Sequence, residues 1–236
     1  MQEIRAKFVE SVVRTKDVTS FRFVPENKID FTPGQFAQVI FDEQNRQNKD
    51  LNKYLSFSCD TGKSYFEVTK KLSASAFSDR LRKLLEADSV LFKLPLGNCV
   101  LGKDTSKVLF IAGGIGITPV ISILEHTVNT QQSIDIKLIY SNWTEADIAF
   151  RKELDDWSKA AKNIEIIHTL VNEKPVTKGF KFGMIDKNFL NEYKDDLFKR
   201  EIYIFGPPGM VNAMKKLCTE LGVEESKIKA ESFLGY

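Results

Sequence analysis

The chain has 236 residues, 42% of them hydrophobic and 28% charged, with a formal net charge of +2. That balance fits a folded globular protein of one large or two modest domains and argues against intrinsic disorder. So small a charge supplies no bulk field to recruit nucleic acid or a membrane surface, and neither is expected as a partner. The two histidines, His126 and His168, lie far apart, and Cys59, Cys99 and Cys218 are isolated, with no C-x-x-C pair. No zinc or iron–sulfur site is expected from such a set, and sparse thiols of odd number suit a reducing compartment. The opening MQEIRAKFVE lacks the apolar core of a signal peptide, and no apolar run reaches membrane-spanning length, so a cytoplasmic location is expected.

The first hundred or so residues read as β structure. Residues 7–15, 19–24, 35–41 and 64–69 are short, roughly alternating and rich in Phe and Val, with the turn Thr32-Pro33-Gly34 between them. One helix is predicted to begin near Ser75, with Ala76, Phe77, Leu81, Leu84 and Leu85 on one face. Short strands with one inserted helix predict a small antiparallel barrel. After Gly102 the period changes. KVLFIA, IDIKLIY, IEIIHTL and EIYIFG are nearly continuous apolar runs, the pattern of parallel strands buried on both faces. Helices predicted over 119–128, 147–161 and 209–221 separate them, giving βαβ units and a doubly wound sheet. The polar stretch Gly102–Lys107 is the expected hinge, dividing the chain into domains 1–102 and 103–236.

Two loops carry chemical signals. In VLFIAGGIGITPV a buried strand ends at Ala112, and Gly113, Gly114 and Gly116 lead through Ile117 to a helix opening at Thr118-Pro119. Glycines let a backbone approach a pyrophosphate closely, and a helix start offers free N–H groups. Pro119 fits a first helical turn, where its missing N–H costs nothing. The pattern is not G-x-G-x-x-G, so the usual dinucleotide motif does not apply. In EIYIFGPPGMV a second strand gives way to Gly206, Pro207, Pro208, Gly209 and Met210 before another helix. Ligands of open α/β sheets sit at the carboxyl ends of strands, where both loops are expected.

The order PGQF, KYLSFS, AFSDRL, GGIGITP, LIYSN, FGPPGM closely resembles the ferredoxin–NADP reductase family, over nearly the whole chain. The resemblance implies a six-stranded antiparallel Greek-key barrel that binds FAD, followed by a doubly wound parallel α/β domain that binds NADH or NADPH. In the family an Arg-x-aromatic-Ser segment holds the flavin. The matching residues here are Lys53, Tyr54, Leu55 and Ser56, with Ser56 near flavin N5. Lys53 keeps the charge but loses the arginine fork, and Leu55 stands where the ring is expected, Tyr54 pointing to the other face. Val68, Thr69 and Lys70 match the neighbouring strand that lines the flavin; Ala76, Phe77 and Ser78 match its phosphate site.

Tyr140, Ser141 and Asn142 are expected to approach the adenosine ribose, and Phe205 stands where many relatives carry a cysteine near the nicotinamide. Trp143, Asn172 and Met184 occupy places where NADPH-preferring relatives carry arginine, which leans the reading slightly to NADH, although Lys174 and Lys178 are nearby and could substitute in gripping a 2′-phosphate. Glu231 is a candidate proton donor, and Tyr236 or Phe233 a candidate cover for the flavin. The implied activity is hydride transfer between nicotinamide C4 and flavin N5, with electrons passed to an acceptor such as ferredoxin, flavodoxin or an oxygenase. The alternative, favoured by Lys53 and Leu55, is a reductase-like electron-transfer or regulatory subunit with weak or lost flavin binding.

Overall fold

The computed structural model describes residues 1–233, which form two compact units. The first comprises Met1–Val100 together with Thr118–His126. Its strands are β1 (Gln2–Val13), β2 (Val18–Pro25), β3 (Phe36–Ile40), β4 (Asn52–Ser56), β5 (Phe66–Lys71) and β6 (Ser89–Leu96), with helix α1 (Ala76–Arg82) between β5 and β6. They pair antiparallel in the order β4-β3-β6-β1-β2-β5. A bridge from Phe57, just beyond β4, to Val68 of β5 joins the two ends of that order, so the sheet closes on itself as a barrel. Alternation fills the interior: Phe21, Phe23, Phe66, Val68, Phe92 and Leu94 are all buried, and the rings of Phe23 and Phe66 each stand edge-on to Phe92 at 4.9 Å. Burying each such ring stabilises the fold by roughly 1.5–3 kcal/mol.

The outer faces of β2 and β5 are polar but also buried. Glu67, 2% exposed, accepts hydrogen bonds from Arg14 (3.1 Å), Arg22 (2.9 Å) and the Ser58 hydroxyl (3.0 Å). Hydroxyls of Ser58, Thr69 and Ser20 continue the chain at 2.6 and 2.7 Å. A buried carboxylate is tolerated because guanidinium groups and a hydroxyl surround it. The network also ties the segment leaving β4 to β5 and β2.

Helix α1 is shorter than its apolar periodicity predicts. It ends at Arg82, and Leu85 is 71% exposed. Ala87 takes a left-handed φ of 69°, and the Asp88 carboxylate accepts from Leu85 N–H at 2.9 Å, turning the chain before another helical turn can form.

The second unit comprises Leu101–Ile117 and, of the described residues, 127–233. Strands β7 (Lys107–Gly113), β8 (Asp135–Asn142), β9 (Ile164–Leu170), β10 (Lys181–Phe182), β11 (Glu201–Gly206) and β12 (Ile228–Ser232) form one sheet, parallel throughout, in the order β10-β9-β8-β7-β11-β12. Helix α2 (Thr118–Asn129) follows β7, α3 (Arg151–Ala160) precedes β9, α4 (Lys187–Asn191) and α5 (Lys194–Lys199) precede β11, and α6 (Pro208–Glu220) follows it. On one face, Leu109, Ile111, Ile139, Ile202 and Ile204 of the sheet pack with Phe189, Leu190 and Leu197 of α4 and α5 and with Val211, Met214 and Cys218 of α6.

The crossovers β8–α3–β9 and β11–α6–β12 advance in opposite directions from β7. Right-handed connections therefore put α3 and α6 on opposite faces. Helix α3 begins later than predicted because Thr144 and Asp147 close a short 3-10 turn, with Thr144 N–H and Oγ1 donating to Asp147 at 3.0 and 2.7 Å, and because Phe150 is left-handed at φ 59°. Among the described residues no helix is long and apolar enough to cross a membrane.

Candidate functional site

In the first unit the register of β3 and β4 sorts the motif residues by face. Ala37 pairs with Leu55 and Val39 with Lys53, while Phe36 pairs with Ser56 and Gln38 with Tyr54. Directly opposed residues share a face. Ala37 and Val39 are fully buried in the barrel core, and Leu55 joins them there at 7% exposure. Tyr54 and Ser56 therefore share the outer face. Tyr54 is 60% exposed, its ring edge-on to Phe36 at 5.8 Å, and Ser56 is buried with a hydroxyl that has no hydrogen-bond partner among the described residues. The resemblance put Leu55 in the place of the ring; in the structure Leu55 faces the core and the ring beside Ser56 is Tyr54.

Val68 faces the barrel core, and the Thr69 hydroxyl is held by Ser20 and Ser58, so neither side chain is open to a ligand. Lys70 is buried; that burial, and next the charges of Lys53 and Lys71, hold its pKa below the ordinary lysine range. A cluster of lysines held against mutual repulsion suits a negatively charged ligand group. Phe77 is core, and Ser78 Oγ accepts from Ser73 N–H at 3.1 Å and from Ser75 Oγ at 3.0 Å, which fixes the turn from within; Ala76 is exposed.

In the second unit the chain leaves β7 toward β8 and returns to β11 on the other side of β7, which makes the β7–β11 edge the switch point of the sheet. Both glycine-bearing loops lie there, and they interlock. A Cβ on Gly116 would lie 2.5 Å from the Phe205 carbonyl oxygen and 2.7 Å from Gly206 Cα, and one on Gly113 would lie 2.2 Å from Met210 Sδ. Gly114 is different: it is exposed, has φ +51°, and a Cβ there would meet nothing within 4 Å. Ile117, Thr118 and Pro119 are buried, while Pro207 and Pro208 are partly exposed and Gly209 is exposed.

Tyr140 is fully buried and its hydroxyl donates to the Gly114 carbonyl at 3.0 Å. Asn142 is buried as well, and Ser141 is partly exposed. Phe205 is fully buried between Phe110 and Tyr203, both 6.4 Å away, so its ring belongs to the sheet's packing and its backbone to the loop. Glu231 pairs with Phe205 across β11 and β12. Burial pushes its carboxyl up to about 7, and its Oε2 has no hydrogen-bond partner among the described residues. Phe233 N–H continues the ladder to the Gly206 carbonyl at 3.0 Å; Tyr236 lies outside the described residues.

Residues 110–216 match the oxidoreductase NAD-binding domain family. The flavohemoprotein of Bacillus subtilis is 30% identical over 229 residues, covering 93% of this chain and 56% of that protein. The reductase component of propane 2-monooxygenase from Mycolicibacterium smegmatis is 27% identical over 246 residues, 99% of this chain and 68% of that protein. The flavohemoprotein-like FAD/NAD-binding domain of nitric oxide dioxygenase from Vibrio cholerae has the same fold, with a TM-score of 0.81 at 20% identity over 97% of this chain and 98% of that one.

The chain belongs to the ferredoxin–NADP reductase-like oxidoreductases. It spans 56% and 58% of the length of the flavohemoproteins from Bacillus subtilis and Oceanobacillus iheyensis that it matches.

Within this reductase-like frame, the turn after β8 is acidic. Glu145 accepts from Val176 N–H (2.7 Å), Thr177 N–H (2.9 Å) and Thr177 Oγ1 (2.6 Å), and Glu173 accepts from Glu145 N–H. Those bonds hold the Glu145 carboxyl below its ordinary pKa. Trp143 and Met184 are exposed in the same region, at 57% and 71%. Sequence reasoning missed Glu145 and Glu173, which carry no motif. Tyr54 was among the expected flavin residues, on the face opposite Leu55, and the pairing of β4 with β3 shows that face to be the outer one.

Proposed function

We propose that the chain is an FAD-dependent NAD(P)H oxidoreductase that moves a hydride between nicotinamide C4 and flavin N5 and delivers the electrons to an acceptor. We assign FAD to residues 1–102 and the nicotinamide nucleotide to residues 103–236. The observation that carries the reading is Ser56: a buried, unpartnered hydroxyl on the outer face of β4, beside an exposed tyrosine ring. Leaving such a hydroxyl unsatisfied costs about 1–3 kcal/mol, and a hydrogen-bonding ring edge at that position removes the cost. Lys53 and Lys70 would supply the positive charge that a dinucleotide pyrophosphate requires, in place of a forked arginine; Lys53 shares the Leu55 face of β4, opposite Ser56, so the two ends of the dinucleotide would meet different faces of that strand.

The redox step is chemistry that the two cofactors bring when bound; the protein orients them and excludes water. Ser56 hydrogen-bonds at the reacting edge, and Tyr54 offers a ring face. The open side of Gly114 admits the nucleotide's phosphates. Glu231, with its raised pKa, holds a proton near neutrality beside the loop formed by Gly206–Met210. The carboxylates of Glu145 and Glu173 disfavour a 2′-phosphate, which supports NADH over NADPH.

Acceptors consistent with the named relatives are a haem protein or an oxygenase, with ferredoxin or flavodoxin as further candidates. A cytoplasmic site of action accords with the isolated thiols. The test is the visible spectrum of the purified protein, recorded anaerobically before and after adding NADH or NADPH. A flavin spectrum that bleaches with NADH, and FAD released on denaturation, are expected. Absence of flavin even after reconstitution would overturn the reading.

A further inference from the structure

We infer that Tyr140 is a positioning residue for the nicotinamide nucleotide, acting through its hydrogen bond to Gly114; this rests on the reading of the glycine turn as the nucleotide's site. The residue sits on β8 opposite Ala112, so its side chain stands beside the last residues of β7 before the turn. A buried ring that served packing alone would need no hydroxyl, since phenylalanine fills nearly the same volume. A buried phenol must instead find partners: this one donates to the Gly114 carbonyl at 3.0 Å, and its oxygen also meets the Ala149 backbone. Burial also pushes the phenol well above its ordinary pKa, which keeps the proton in place for donation.

The turn shows why that bond matters. Gly113 is wedged against Met210, and Gly116 against the backbone of Phe205 and Gly206. Between these two clamps, Gly114 opens the short 3-10 turn Gly114–Ile117, is exposed and left-handed, and has no neighbour within 4 Å of where a Cβ would stand, so no side-chain packing bears on it from that side. The peptide unit is planar, so fixing the Gly114 carbonyl fixes the whole amide plane between Gly114 and Ile115. Tyr140 therefore adds a side-chain anchor to the exposed start of this 3-10 turn, and does so from inside the protein, without needing to touch the ligand. With the bond removed, the turn must be ordered when the nucleotide binds, and affinity falls accordingly.

The test is Tyr140→Phe in the flavin-loaded protein, with NADH and NADPH titrated separately. We expect KM and Kd for the preferred nucleotide to rise about threefold to tenfold, the range of one lost hydrogen bond, with a smaller change in kcat. Flavin content stays at the wild-type value, and Tm falls only by the amount that one lost buried hydrogen bond implies. Gly114→Ala perturbs the same peptide, so its effect and that of Tyr140→Phe should combine to less than their product in the double variant. An unchanged KM in Tyr140→Phe, full multiplicativity, or a larger fall in Tm with KM and kcat changing together would overturn the inference. If wild-type protein binds neither nucleotide, the reading of the site fails and the inference with it. Wild-type binding with unaltered Tyr140→Phe refutes the inference alone.

Discussion

Replacing Glu231 with glutamine isolates the energetic effect of one enclosed carboxyl. Burial raises its pKa from 4.5 to about 7. The folded state thus holds this proton more tightly than the unfolded chain does. Below the unfolded value both states are protonated and no penalty exists. As pH rises through the interval, the unfolded chain ionises first and stability falls; above the folded value the full penalty applies. An interval of this size corresponds to about 3 kcal/mol at most, and partial exposure of the side chain reduces it to about 1–3 kcal/mol. Glutamine mimics the protonated acid and carries no such penalty.

Chemical denaturation of both proteins from pH 4.5 to 8.5 should give equal stabilities at the acid end and a Glu231→Gln protein more stable by that amount at pH 8. His168, lowered to about 4 by burial, contributes a slope of opposite sign below pH 6.5, because the unfolded chain protonates there first. The difference between the two proteins cancels that term. Parallel curves across the range would refute the argument that this carboxyl is desolvated.

Tyr54→Ala should weaken FAD about threefold to tenfold in a fluorescence titration of the apoprotein, whereas Leu55→Tyr should lower Tm through overpacking of about 1–3 kcal/mol without tightening FAD. Gly116→Val should destabilise the second unit outright, since its side chain would meet backbone at 2.5 Å, whereas Gly114→Ala, strained at φ +51° but meeting nothing within 4 Å, should keep fold and flavin with a smaller loss of stability and lose nucleotide affinity; circular dichroism and nucleotide titration separate the two. Burial pushes Cys59 up to about 12 and Cys218 up to about 11, so a thiol-specific reagent should label neither in the native protein at pH 8 and both after denaturation.

Much of this architecture was legible because the period of apolar residues changes from two-fold alternation to continuous buried runs near Gly102. The parallel strands at β7, β8, β9 and β11 fall on the expected apolar runs. The edge strands were harder to see. Strand β10 has only Lys181 and Phe182, too short for any period, and β12, Ile228–Ser232, alternates with charges because it borders the sheet. Strand β6 contains Pro95, which reads as a break although the chain runs on to Leu96.

At the site, the glycine loops announced themselves by composition, but their division of labour did not. That Gly116 serves packing while Gly114 stays open depends on what lies across the fold, on Phe205 and Met210. The choice between Leu55 and Tyr54 turned on register, which one residue of slippage inverts.

The interlocking of Gly113 and Gly116 with Met210 and the Phe205–Gly206 backbone bears on how such a protein can be redesigned. Two loops distant in sequence behave as a single moulded piece, so a library varied in one of them alone will mostly sample misfits. Cofactor preference is more freely altered at the Glu145 and Glu173 turn, where side-chain hydrogen bonds, rather than backbone wedged on backbone, hold the geometry. On the proposed reading, the same fold would pair a stiff hold on what all nicotinamide nucleotides share with an adjustable one on what distinguishes them.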